Sequence, residues 1–257
     1  MNLGSRRPYS QRSATLIARL SSSPRLALAL AVLVGSPEVG HAASPSFDCS
    51  GARGRVETAI CRSERVARLD VRIDAAYRRL MRAFESDAEA RQELRTAQRD
   101  FLERREAALD APYDGFVRHH EAQAALLEAI DPAPRAGFEG EWSNLSGSIR
   151  IRRGDAGFAV WGSTVEPVLN RWICDVDDIG EVAGGTFVTP VGATAAGFPE
   201  WSIRIERAGV AIRVVEVGPA GTATLPDGSA AEQTPRCGRR GRFDGIYFPS
   251  TGLMRAR

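Results

Sequence analysis

The apolar residues of this 257-residue chain change their spacing once, and that change limits the fold more than any other feature. Before about residue 131 they recur at helical intervals. Val66, Leu69, Ile73, Tyr77, Leu80 and Phe84 are separated by 3, 4, 4, 3 and 4 positions, which places them on one stripe of a helix. Ser63 suits the N-cap of that helix, and Glu64 falls in its first turn, where the helix dipole favours negative charge. Ser86-Asp87 interrupts the run and recaps the next helix, for which Leu94, Ala97, Phe101, Leu102, Ala108 and Leu109 are expected to point inward. Ala111-Pro112 ends it, because proline lacks a donor and restricts its predecessor. A last helix is expected from about Asp114 to Ile130, with Phe116, Ala124, Leu127 and Ile130 inward, and a short first one around Val56 and Ile60.

Asp131-Pro132-Ala133-Pro134-Arg135-Ala136-Gly137 reads as a linker by composition. Beyond it the period becomes two, as in Ser148-Ile149-Arg150-Ile151-Arg152 and Trp201-Ser202-Ile203-Arg204-Ile205-Glu206. Glycine-containing breaks such as Gly184-Gly185 and Arg207-Ala208-Gly209 separate the runs, the latter as a hairpin signal. The expected fold class is therefore α+β in two modules. A small α-helical hairpin or bundle over 46–131 precedes a linker at 132–137 and an antiparallel β sandwich or small barrel over 138–257.

The first 42 residues read as a signal peptide. Five arginines precede or flank the apolar stretch Leu26–Val34, and small residues near Ala42 offer a cleavage site. Nine apolar residues are too few to span a bilayer, so no transmembrane anchor is expected after signal removal. The chain carries 34 basic and 32 acidic side chains, and every basic one is arginine. Cleavage removes five Arg and one Glu, leaving 29 basic and 31 acidic groups and a net charge near −2. Nucleic-acid binding driven by phosphate contacts has no basic excess to draw on. All four cysteines follow the signal, an even number suited to an oxidising periplasmic or secreted location. Four cysteines allow three pairings, and proximity favours Cys49 with Cys61 and Cys174 with Cys237.

No constellation nominates a catalytic site, a cofactor or a metal. There is no Cys-x-x-Cys pair, no Gly-x-Ser-x-Gly elbow and no phosphate-cradling loop. His119-His120-Glu121 places adjacent side chains about 100° apart on a helix, and we read the pair as part of a solvated face. Arg236, Arg239, Arg240 and Arg242 around Cys237 form one local basic cluster; we read it first as a charged loop beside a disulfide, with a grip on an anionic glycan or phosphate as the alternative.

Several helical-module residues carry a family pattern: Phe47-Asp48-Cys49, Val56-Glu57-x-Ala59-Ile60-Cys61, Leu69-Asp70 with Tyr77 seven positions on, and Leu94-Arg95-x-x-Gln98-Arg99-x-Phe101-Leu102-x-x-Arg105. Residues 46–130 thereby resemble the LprI-type lysozyme-inhibitor N-terminal domain. The trailing module, with Cys174 and Cys237-Gly238…Phe243-Asp244-Gly245-x-Tyr247, is similar to a β domain that often follows it. The family usually has tryptophan at the Phe101 position and two further cysteines where Ala107-Ala108 and the 113–120 region have none. The resemblance then implies Cys49–Cys61 as the staple that remains. It also implies a non-enzymatic, exported bacterial envelope protein that binds a lysozyme-type muramidase and blocks its cleft, with the Ser86-Asp87 and Asp110–Asp114 turns as candidate contact points. Glu57, Leu69, Asp70, Tyr77, Leu94, Gln98, Phe101 and Arg105 read first as residues that hold the fold, with Asp70, Gln98 and Arg105 as a polar network. The alternative is a periplasmic module that binds peptidoglycan or another envelope glycan without inhibiting anything.

Overall fold

A computed structural model describes residues 44–155, 157–189, 201–218 and 236–251. The expected signal peptide lies outside the described residues. A 3-10 turn at Cys49–Gly51 leads into four helices, α1 (Arg55–Arg62), α2 (Glu64–Ala83), α3 (Ala88–Leu109) and α4 (Gly115–Ala129). Eight strands follow among the described residues: β1 (Gly140–Asn144), β2 (Gly147–Gly154), β3 (Gly157–Val165), β4 (Ile173–Ala183), β5 (Thr186–Val188), β6 (Ser202–Ala208), β7 (Ala211–Val217) and β8 (Gly245–Ser250).

Local chemistry sets the helix boundaries. The Glu57 carboxylate turns back to accept the Arg53 and Gly54 N–H groups at 2.9 and 3.1 Å, satisfying donors that α1 leaves open. Ser63 Oγ accepts the Val66 N–H at 3.3 Å, and Asp87 Oδ1 accepts the Ala90 N–H at 2.9 Å, so α2 and α3 start where their caps stand. The apolar stripe of α2 packs with Leu94 and Phe101 of α3 and Ala124, Leu126 and Leu127 of α4. Leu102, expected inward, instead keeps 41% of its surface exposed. Leu94, Phe101 and Ala108 follow one face of α3, and Leu102 stands one residue round the helix from Phe101, off that face. A second cluster joins Val56, Ile60 and Val66 to Ala108, Phe116 and Val168, so the loop after β3 reaches into the helical head.

The β module closes into a barrel, the second of the two forms expected. Each strand pairs antiparallel with the next, and β1 pairs with β8 through Glu141–Ser250, Trp142–Pro249 and Ser143–Phe248. Among the described strands, closure leaves no open sheet edge for another chain to pair with. Alternate side chains fill the interior, among them Trp142, Ile151, Val160, Phe187, Ile203, Ile205, Val214 and Tyr247. The expected hairpin has Ala208 opposite Ala211, with Gly209 at φ 59° in its turn.

Head and barrel share a core. Phe84 stacks on Phe248 with ring centres 6.3 Å apart, and Ala208, Val210 and Ala211 of the β6–β7 hairpin join the helical cluster. The second Asp87 carboxylate oxygen accepts the Val210 N–H at 2.8 Å, so one side chain both caps α3 and grips the hairpin. A Cβ on Gly209 would stand 2.3 Å from that carboxylate, so a larger residue there would displace the Asp87 grip as well as strain a backbone at φ 59°. Arg213 pairs with Glu93 at 2.7 Å across the same seam. The segment after α4 is also tied down: Asp131 N–H donates to the Pro249 carbonyl at 2.8 Å, and Arg135 donates to the Glu141 carbonyl at 2.8 Å while lying over the Trp142 ring.

Candidate functional site

Two features of the helical head are candidates, a groove and a turn. Along the groove, α2 supplies Asp70, Ile73, Asp74 and Tyr77, and α3 supplies Arg95, Gln98, Arg99, Phe101, Leu102 and Arg105. Ser46 and Phe47 complete its wall around a volume of about 450 Å³. Seven-residue spacing on α2 and three- and four-residue spacing on α3 bring these side chains to facing sides of the helix pair. Asp70 accepts both the Ser46 N–H and hydroxyl, at 2.8 and 2.6 Å, anchoring the segment that enters the 3-10 turn. Burial works against the Arg105 charge and draws its pKa down, while the carboxylates of Asp70 and Glu57 oppose that shift. Gln98 does not join them: its carbonyl oxygen accepts the Gln123 amide at 2.8 Å, linking α3 to α4. The expected network of Asp70, Gln98 and Arg105 is thus divided into an electrostatic pair and a separate amide contact.

The turn Asp110–Asp114 joins α3 to α4. Tyr113 and Asp114 both take left-handed backbone conformations, at φ 55° and 57°, which residues with side chains adopt only under local constraint. That constraint comes from arginine. Arg118 donates to the carbonyls of Pro112 and Tyr113, and Arg55 forms an ion pair with Asp110 that holds its carboxyl below the usual carboxylate range. Tyr113 is left 88% exposed at the tip.

The family model described as Lysozyme inhibitor LprI matches residues 49–135. The turn and all four helices lie within that LprI match, and so does the groove apart from Ser46 and Phe47. No curated protein and no solved structure matches the chain. The two disulfides, Cys49–Cys61 and Cys174–Cys237, fit an extracytoplasmic setting. Among the described residues, no helix is long and apolar enough to cross a membrane.

The LprI pattern residues divide by role. Asp70, Tyr77, Gln98, Phe101 and Arg105 come together along the groove, whereas Leu69 and Leu94 are buried core and Glu57 caps α1. The Ser86-Asp87 turn is no free contact point, because Asp87 is committed to the barrel hairpin. His119 and His120 correct the expected solvated face, since both are buried. Phe101 stacks on His119 at 4.8 Å and meets His120 edge-on at 5.3 Å, while Phe116 lies 4.4 Å from His120. His120 Nδ1 donates to the Phe116 carbonyl at 2.8 Å, and desolvation lowers its pKa to about 4. His119 Nε2 donates to the Phe101 carbonyl at 3.2 Å, and burial lowers its pKa as well. A helix that packs against two partners has more than one inward face, which is why a pair of adjacent residues both disappear from solvent here.

The basic cluster around Cys237 also separates. Arg236 is buried in an ion pair with Asp178 at 2.6 Å, leaving Arg239 and Arg240 exposed. Among the described residues, no three His, Cys, Asp or Glu side chains assemble as a metal site. Tyr113 is not among the residues singled out from sequence, although a tyrosine directly after a helix-ending proline, between Asp110 and Asp114, is a signal that could have marked it.

Proposed function

We propose that this is an exported, non-enzymatic inhibitor that binds a lysozyme-type muramidase through its helical head and blocks the glycan cleft with the Asp110–Asp114 turn. The LprI match supports the partner class. The observation that carries the choice of surface is the exposed Tyr113 on a turn braced by Arg118 and Arg55. A cleft is filled by something convex, and a braced aromatic tip loses little conformational entropy when it enters one. Asp114 at the same tip would favour a basic target. The groove is concave and takes a supporting part: its lining residues set the angle between α2 and α3, and so the direction in which the turn projects.

A turbidity assay with muramidase and whole cells tests this directly. Titrating the protein should slow clearing in a saturable way, and Tyr113→Ala should weaken inhibition at least about tenfold, in line with loss of an aromatic hot spot. Unchanged inhibition by Tyr113→Ala would move the contact elsewhere, and no inhibition at excess protein would remove the reading.

A further inference from the structure

A second cleft lies on the other side of α3, at the seam between head and barrel, with a volume of about 570 Å³. Four arginines line it: Arg104 from α3, Arg171 from the loop after β3, and Arg239 and Arg240 from the turn before β8. None of the four is in an ion pair among the described residues. Among the described residues Glu166 is the only acidic group in the lining, and its carboxylate is turned to the Val168 and Leu169 N–H groups of its own loop. Trp172 adds a flat aromatic surface beside them.

The arrangement is held in place. The Cys174–Cys237 disulfide fastens the arginine turn to the start of β4, two residues beyond Trp172. Gly238 N–H donates to the Ile173 carbonyl at 2.8 Å, and Gly241 N–H donates to the Gly238 carbonyl at 2.8 Å. A Cβ on Gly241 would approach Cys237 Cβ to 2.8 Å, so glycine is required for the turn to lie this close to the disulfide. On the opposite wall the Glu166 N–H donates to the Trp172 carbonyl at 3.1 Å, closing the Arg171-Trp172 loop on itself. Four positive charges gathered around a single carboxylate leave a positive excess, and a fold that fixes them around a concave surface is suited to an anion. Guanidinium groups grip carboxylate or phosphate through paired N–H donors, and an indole face packs against the C–H face of a sugar ring.

We propose that this cleft binds an anionic saccharide, a sugar bearing a carboxylate or phosphate group, with the arginines on the charge and Trp172 under the ring. The volume lies within the range of small-ligand sites and suits about two sugar units. Binding here does not depend on inhibition by the Tyr113 turn, which lies outside the cleft lining.

Calorimetry on the purified protein tests it with three saccharides. N-acetylglucosaminyl-N-acetylmuramic acid carries a carboxylate, N,N′-diacetylchitobiose (chitobiose hereafter) is its neutral counterpart, and N-acetylglucosamine 6-phosphate carries phosphate. At least one anionic sugar should bind, chitobiose should bind at least about tenfold more weakly, and the preference should fade as salt rises. The double variant Arg239→Ala/Arg240→Asn should lose about tenfold or more in affinity; asparagine suits Arg240, whose φ is 66°. Arg171→Ala, on the facing loop, should lose affinity independently, and an unchanged melting temperature in either variant separates binding from folding. The relative affinities of the two anionic sugars decide between carboxylate and phosphate as the natural charge. Equal binding of chitobiose, unchanged affinity in folded variants, no heat with any sugar, or equal binding of a short DNA strand would each overturn the proposal. No muramidase is present in this experiment, so its outcome is separate from that of the inhibition titration.

Discussion

His120 should make the head acid-sensitive, and the effect can be worked from its surroundings. The ring is fully buried between Phe101 and Phe116, and its Nδ1–H is used by the Phe116 carbonyl. Its Nε2 has no hydrogen-bond partner among the described residues, so protonation would place an unpaired N–H⁺ in an apolar site. Desolvation is the main cause of the low pKa of about 4; the charges of His119 and Arg105 lower it further, and Asp70 acts against them. The unfolded chain takes up the proton near pH 6.5, whereas the folded one resists until about pH 4. Between those values the unfolded state holds more protons, so stability falls as pH falls through that window. At about pH 4.5 the loss amounts to about 2.5 kcal/mol relative to neutral pH, because each tenfold difference in proton affinity between the two states is worth about 1.36 kcal/mol. Urea unfolding of wild type and His120→Gln at about pH 7.5 and 4.5 reads it out. The variant has its own packing cost at neutral pH, but the wild type should lose about 2.5 kcal/mol more than the variant on acidification. His119 is shifted in the same direction, so the total wild-type loss should be larger still. Parallel losses in both proteins would refute the assignment of a buried, neutral imidazole to His120.

Two further outcomes follow from the framework of the fold. Replacing Cys49 and Cys61 by serine opens a loop with a sequence separation of 12 and should cost about 3 kcal/mol, seen as a lower urea midpoint with little change at the barrel. Asp87→Ala removes the α3 cap and the Val210 tether together and should cost about 2 kcal/mol, with faster amide exchange at Val210 as the local signature. A loss no larger than for an exposed cap alone would show that the tether contributes nothing.

Much of the local structure is legible in the sequence because local chemistry causes it. Ser63 and Asp87 start helices wherever they stand before an amphipathic run, and the switch of period from 3.6 to 2 separates helix from strand without reference to the rest of the chain. Half of the candidate site is legible in the same way, since Asp70 and Tyr77 on α2, and Phe101 and Arg105 on α3, line one groove through helical spacing alone. Leu102, the histidine pair and Gln98 depart from the sequence reading because each depends on which neighbour packs against its helix.

By itself, then, the sequence determined the caps and the two periods, which arise from interactions within a few residues, and supplied a pool of four cysteines. Only the tertiary structure decided that the strands close into a barrel rather than face each other as two sheets. It also decided that the barrel shares a core with the head, and that Arg171 and Trp172 meet Arg239 and Arg240 across a cleft. Those outcomes rest on contacts between segments more than about sixty residues apart, where burial and charge are set by what lies opposite a side chain and not by what lies beside it in the chain.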